Sequence, residues 1–122
     1  LNNRVTRRAD VEETTRVPIL GEVTKNKAAE SLVLAPRSRS VIAEQIRTLR
    51  TNLQFLRTNA GDSQVLLFTS SISGEGKSFV SLNLGASLAL VDRPTVILEM
   101  DLRKPGLRKN VDITNATGIT NY

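Results

Sequence analysis

Hydrophobic residues recur with a helical period over residues 40–57. Ile42, Ile46, Leu49, Leu53 and Leu56 fall at i, i+4, i+7, i+11 and i+14. At about 100° per residue they form one narrow apolar stripe. Ser40 stands where an N-cap belongs, and Asn59-Ala60-Gly61-Asp62 supplies the stop and turn. The stripe predicts a helix packed against something flat, such as a sheet. Two later stretches are continuously apolar: Val65-Leu66-Leu67-Phe68-Thr69, and Thr95-Val96-Ile97-Leu98 running on to Glu99-Met100-Asp101. Unbroken runs of this kind predict strands covered on both faces. Between them, residues 77–91 carry Phe79, Val80, Leu82, Leu84, Ala86, Leu88, Ala89 and Leu90. Little polar face remains, so this helix is expected to be largely buried. Asp92-Arg93-Pro94 turns the chain. Strand, loop, helix and strand in that order spell the parallel βαβ unit, with a right-handed crossover.

The flanks are weaker. Residues 1–17 are polar and charged without a steady period and read as an arm. Pro18-Ile19-Leu20-Gly21 is a short apolar punctuation suited to docking on a domain surface. Leu32-Val33-Leu34 is a short extended segment, and Pro36 biases Ala35 away from helix. Beyond Asp101, residues 102–107 predict a turn or a short helix interrupted by Pro105. Residues 110–122 are polar, with a break at Gly118. The expected division is an arm over 1–31 and an α/β unit over 32–122, with the amphipathic helix in 32–60 and the βαβ unit in 61–122.

Composition narrows the chemistry. The 122 residues include no cysteine and no histidine. Disulfides, thiolate metal sites, cysteine nucleophiles and Ser-His triads are excluded. Carboxylates, Lys, Arg, hydroxyls and backbone amides are what remains. The net charge is +5, and it is all in the first half: residues 1–60 hold 11 Lys/Arg and 6 Asp/Glu, and residues 61–122 hold 6 of each. This half lacks interleaved aromatics and any recognisable reader motif, so nucleic acid is not an expected partner. No apolar run approaches the ~20 residues that span a bilayer. The polar start is unlike a signal peptide. The chain begins with Leu1 rather than Met, which suggests a fragment of a longer polypeptide.

The chemistry concentrates at Ser70-Ser71-Ile72-Ser73-Gly74-Glu75-Gly76-Lys77-Ser78. A phosphate-binding loop has Gly, four residues, then Gly-Lys-Ser/Thr. Gly76-Lys77-Ser78 fits, and Ser71 replaces the leading Gly. Small residues let consecutive N–H groups curl around a phosphate, and the helix that follows points its positive end at the same anion. Ser71, Ser73, Gly74, Glu75, Gly76, Lys77, Ser78 and Phe79 are the candidate nucleotide contacts. Lys77 can reach the β- and γ-phosphates, and the Ser78 hydroxyl suits magnesium. An ordinary strand-to-helix turn is the plain alternative. Glu99 and Asp101, two apart at the end of the second predicted strand, share one side of a regular strand. Carboxyl ends of parallel strands line the ligand crevice of open α/β sheets. Both acids are therefore candidate magnesium ligands, and either can assist an attacking hydroxyl. Arg103 is placed to pair with a carboxylate or a transferring phosphate. Capping acids at a solvated strand end are the alternative.

These residues resemble the bacterial tyrosine autokinases of polysaccharide export. Residues 70–78 are similar to that family's Walker A loop. Ile97-Leu98-Glu99-Met100-Asp101-Leu102-Arg103-Lys104-Pro105 resembles its second acidic motif, Asp-x-Asp-Leu-Arg-Lys-Pro. Glu44, Arg47 and Arg50 match the Glu-x-x-Arg-x-x-Arg helix by which family members associate into rings. Val17-Pro18-Ile19-Leu20-Gly21-Glu22 resembles the stretch joining membrane part to kinase domain. Together the likeness covers most of residues 17–122.

The resemblance implies an α/β, P-loop NTPase-like parallel sheet with flanking helices, incomplete in this stretch. It implies ATP and Mg2+ as cofactors, with Lys77, Asp101, Glu99 and Arg103 as catalytic residues and Ser78, Asp101 and Glu99 as metal ligands. It implies protein tyrosine substrates and self-association through Glu44, Arg47 and Arg50. A membrane part of the same polypeptide, or a partner adaptor, would hold the parent at the cytoplasmic side of the bacterial inner membrane. Ser73 departs from the family's Pro, and Glu99 from its first Asp. A Walker B strand and a tyrosine cluster have no counterpart, and Tyr122 is the only tyrosine. Glu44, Arg47 and Arg50 also read as local ion pairs on a solvated helix face. Partitioning-type ATPases carry a lysine where Ile72 stands, which argues against that alternative. A non-enzymatic association module is the third reading.

Overall fold

The computed structural model describes residues 5, 7–26, 31–34, 38–56, 63–107 and 111. Three helices are assigned among them: α1 Arg8–Glu12, α2 Val41–Phe55 and α3 Lys77–Ala89. Ala35, Pro36, Arg57, residues 59–62, Gly118 and Tyr122, for which the sequence carries expectations, lie outside the described residues.

The arm is not wholly irregular. Asp10 lies three residues after Arg7, and its carboxylate accepts the Arg7 amide at 3.0 Å, which starts α1. Arg8 Nε donates to Glu12 at 2.7 Å and its Nη1 lies 3.7 Å from Glu22. Charge pairs, invisible to a hydrophobic-period argument, thus supply this one-turn helix.

α2 begins as expected. The Ser40 hydroxyl accepts the Ala43 amide at 3.2 Å, satisfying one of the unpaired N–H groups of the first turn. Ala43 and Ile46 are buried with Leu34, and Val23 and Ile42 pack around them. Leu49 and Leu53 are half-buried, whereas Leu56, at the C-cap, is exposed. The stripe meets helix and loop, and Leu49 and Leu53 line a cavity with Leu66, Leu67 and Phe68 of the first apolar run. α2 packs on α3. The 20–24 segment is pinned to its flank, Asn52 Nδ2 donating to Leu20 O at 2.8 Å and the Thr24 amide to Gln45 Oε1 at 3.0 Å. Gly21 permits this approach, because a Cβ there would lie 3.1 Å from a Leu49 methyl.

α3 is the central element, with Leu82, Asn83, Leu84, Gly85 and Ser87 buried. The fully buried Asn83 has every side-chain function used. Its Oδ1 accepts the Val33 amide at 2.9 Å, and its Nδ2 donates to Ser31 O and Phe79 O at 2.8 and 2.9 Å. That clasp holds the extended 31–34 segment on the helix and leads Leu34 into the core. The helix ends at Ala89, short of the expected Val91, in a Schellman arrangement. The Arg93 amide donates to Leu88 O and the Asp92 amide to Ala89 O, with Asp92 at φ 56°.

The two apolar runs carry no β-ladder among the described residues. They are also not covered on both faces. Val65 and Leu67 are 95% and 90% exposed, while Leu66 between them falls to 37%. Val96, Leu98 and Met100 are likewise exposed, and Glu99 is half-buried. Alternation with period two is what a half-covered extended segment gives. The covered side meets α3: a Cβ on Gly85 would lie 2.6 Å from Ile97 Cδ1. A wide trough separates the runs, lined along one side by residues 63–73, along the other by 94–104, and by Leu84, Gly85 and Leu88 of α3. Continuous apolarity suggested burial on both faces, but nothing among the described residues covers the outer one.

Two stability predictions follow from α3. Asn83→Leu leaves the Val33 N–H and the Ser31 carbonyl without this partner and should destabilise by about 2–4 kcal/mol in urea unfolding. An unchanged midpoint would show that the clasp contributes nothing. Asp92→Gly relieves a left-handed conformation and should stabilise by roughly 0.5–1 kcal/mol, against destabilisation by Asp92→Val.

Candidate phosphate-binding site

Residues 70–79 leave the first apolar run and turn into α3. Gly74 and Gly76 take φ 93° and 100°, the left-handed region that glycine enters without a Cβ penalty. Gly76 is the N-cap of α3, and its carbonyl accepts the Val80 amide at 2.9 Å. The amides of residues 73–79 donate to no described residue. These are the orphan donors that any helix start leaves, joined by those of the loop before it. No acid stands in the first turn of α3 to satisfy them. Ser73 and Gly74 are exposed, and Phe79 is half-buried.

The loop's acid works backwards. Glu75 Oε2 accepts the Ser71 amide at 2.8 Å and the Ile72 amide at 3.2 Å. Its carboxylate thereby fixes the outgoing arm of the loop and uses two donors that precede the glycines. Ser71, also a candidate nucleotide contact, contributes its amide to this brace.

The acidic motif meets the loop. Lys77 Nζ lies 2.7 Å from Asp101 Oδ2, with both side chains about one-third exposed or less. The Lys77 hydrogen bond, and then the Lys104 amide on Oδ1 at 3.0 Å, hold the Asp101 carboxyl below its ordinary pKa of 3.8. Glu99 does not join that pair. Its Oε2 accepts the amides of Gly106 at 2.9 Å and Leu107 at 2.7 Å. Gly106 in turn abuts Ser78, where a Cβ would lie 2.9 Å from the hydroxyl oxygen. Arg103 is exposed on the 102–107 turn, and its side chain has no partner among the described residues. No three Asp or Glu converge among the described residues, so any metal here would be held by a hydroxyl, an acid and its own other ligands.

The helix set divides. Glu44 pairs with Arg47, whose Nη2 also donates to Ser38 O at 2.7 Å. Arg50 turns the other way, its Nη1 donating to Ser87 O at 2.9 Å and to Ser87 Oγ at 3.1 Å. The geometry therefore brings together Lys77, Asp101, Ser78 and, by way of Gly106, Glu99. It leaves Glu44 and Arg47 on a different part of the molecule and takes Arg50 into the α2–α3 joint. Motif reading missed Asn83, which had a signal, a lone side-chain amide in a largely apolar helix. It placed Arg50 in the association set and had no signal for the contact with Ser87, because only the packing shows which carbonyl Arg50 reaches.

Comparison with known proteins finds relatives over most of the chain. EpsB of Ralstonia solanacearum, provisionally named a tyrosine-protein kinase, is 37% identical over 90 residues, 74% of this chain and 12% of EpsB. Tyrosine-protein kinase YwqD of Bacillus subtilis is 30% identical over 95 residues, 78% of this chain and 40% of YwqD. The succinoglycan biosynthesis transport protein ExoP of Rhizobium meliloti is 29% identical over 89 residues, 73% of this chain and 11% of ExoP. The chain belongs to the family of bacterial tyrosine-protein kinases of the capsule and exopolysaccharide type. It spans less than half the length of these relatives. No protein-family model and no solved structure matches it. No helix among the described residues is long and apolar enough to cross a membrane.

The ion pair makes a sign-definite prediction. Because Asp101 is shifted down, its contribution is present above its unfolded pKa and is lost as pH falls through the folded value. Lys77→Met should raise the Asp101 pKa toward its ordinary value in a carboxyl-carbon NMR titration. An unmoved pKa would mean that the pair does not form in solution.

Proposed function

We propose that this chain is part of an ATP-dependent protein-tyrosine kinase that acts in polysaccharide polymerisation or export. The observation that carries the reading is the meeting of Lys77 with Asp101 beside a loop whose amides at 73–79 are free of described partners. A phosphate chain suits that loop: two left-handed glycines shape the backbone, the helix end favours an anion, and an ammonium stands at the rim. The amides of residues 73–79 and Lys77 would hold the phosphates. Ser78 and Asp101 would hold magnesium, which supplies charge neutralisation at the phosphate oxygens. Asp101 leaves Lys77 when the phosphates arrive and is then available to the ion or to the tyrosine hydroxyl. Arg103, free on the adjoining turn, is placed to meet the transferring group.

The same reading gives the fold and the partners. The two half-covered apolar runs belong to a parallel P-loop sheet, and the trough between them takes a further strand of the domain. Glu44, Arg47 and Arg50 belong to the helix that forms the self-association surface. The parent enzyme phosphorylates tyrosines, its own included, on the cytoplasmic side of the inner membrane, joined to a membrane part of the same polypeptide or to an adaptor. The names of YwqD and EpsB support the tyrosine kinase, and that of ExoP the polysaccharide context.

The test is incubation of the full-length protein with labelled ATP and magnesium, followed by phosphotyrosine detection. Wild type should label itself. Lys77→Met should lower labelling by roughly a hundredfold or more, the scale of losing a charged contact to the transferring group. ATP hydrolysis without phosphotyrosine, or labelling indifferent to Lys77→Met, would contradict the proposal.

A further inference from the structure

Glu99 and Asp101 are two residues apart, yet their carboxylates are committed differently. Asp101 faces Lys77 with one oxygen and holds the Lys104 amide with the other. Glu99 places a single oxygen between the amides of Gly106 and Leu107, at 2.9 and 2.7 Å. Both acids thus grip the turn that follows them, Asp101 near its start and Glu99 at its end. The end matters because Gly106 sits against Ser78, where a Cβ would lie 2.9 Å from the hydroxyl oxygen and force it to shift. The extra methylene of Glu relative to Asp supplies the reach to a turn seven residues on.

We propose that Glu99 is a positioning residue. Its carboxylate docks the 102–107 turn so that Gly106 closes against Ser78 and seats that hydroxyl, and its function at the site does not require metal coordination. This rests on the reading of residues 70–79 as a nucleotide site, and it separates two acids that the motif treats alike. Two amide bonds converging on one oxygen, from adjacent residues of the turn, fix its position. Reach is the essential property, since any acceptor oxygen at that distance can receive both amides. Negative charge is secondary.

The experiment uses the full-length protein, a fluorescent ATP analogue, and magnesium varied at each nucleotide concentration. Glu99→Gln keeps the length and an acceptor oxygen, so it should retain nucleotide affinity and magnesium half-saturation within about threefold. Glu99→Asp keeps the charge but loses the reach, so it should weaken nucleotide binding on the order of tenfold. Gly106→Ala should weaken it similarly, and the double variant should be no worse than either alone. Asp101→Asn, by contrast, should shift the magnesium requirement. Amide hydrogen exchange at Gly106 and Leu107, without nucleotide, should accelerate about tenfold in Glu99→Asp and little in Glu99→Gln. A magnesium shift in Glu99→Gln as large as that in Asp101→Asn, with Glu99→Asp near wild type, would overturn the assignment. So would exchange at Gly106 and Leu107 indifferent to both Glu99 variants. Failure of wild type to bind nucleotide would instead remove the nucleotide reading, while the exchange measurement still decides whether Glu99 holds the turn.

Discussion

Every helix ends with backbone groups that its own ladder cannot pair, and α3 treats its two ends in opposite ways. At the C-terminal end the last four carbonyls are all taken. Ala86 O accepts the Leu90 amide, Leu88 O the Val91 and Arg93 amides, and Ala89 O the Asp92 amide. The remaining one, Ser87 O, accepts the Arg50 guanidinium, which also brings positive charge to the negative end of the dipole. At the N-terminal end nothing comparable happens. The first-turn donors and the glycine-shaped loop before them point at no described acceptor, and the Lys77 ammonium beside them already holds a carboxylate. The fold closes one end of α3 with its own chain and leaves the donors of the other without a partner among the described residues.

The middle of the helix serves that asymmetry. Asn83 ties the 31–34 segment to it, Gly85 admits Ile97 against it, and α2 lies along it. Each contact approaches from the side, so both ends are left to their own solutions. The acids on the second apolar run complete the arrangement. Asp101 holds the lysine, Glu99 holds the turn, and Glu75 holds the loop's outgoing arm. Three carboxylates near one loop would repel a phosphate if all faced it. Instead each is partnered by amides or by Lys77, and the free donors at 73–79 keep the loop's local field favourable to an anion.

What was legible in sequence is what depends on short-range pattern. The five-residue stripe and Ser40 located α2 to within two residues at its C-terminal end, because a cap and a helical period are local properties. Gly76-Lys77-Ser78 located the start of α3 for the same reason. Periodicity could not say what the stripe packs against, since an apolar face serves a helix, a loop or a sheet equally. It also overestimated the cover on residues 65–69 and 95–101. Continuous apolarity reports what a segment tolerates on each face, and here only one face finds a partner among the described residues. The roles of Arg50 and Glu99 were beyond sequence for a stricter reason. Both depend on long side chains reaching particular backbone groups, 37 residues away in one case and seven or eight in the other. Motif resemblance assigned both by position in a pattern. Three-dimensional neighbours assign them by what they touch.

If the free end of α3 is an anion seat beside the Lys77–Asp101 pair, a crystal structure of the full-length protein with an ATP analogue and magnesium will show it. Phosphate oxygens should then lie within hydrogen-bonding distance of amides in residues 73–79, with Lys77 Nζ transferred from Asp101 to the phosphates. A nucleotide bound elsewhere, with the Lys77–Asp101 pair still at about its 2.7 Å separation, would contradict it.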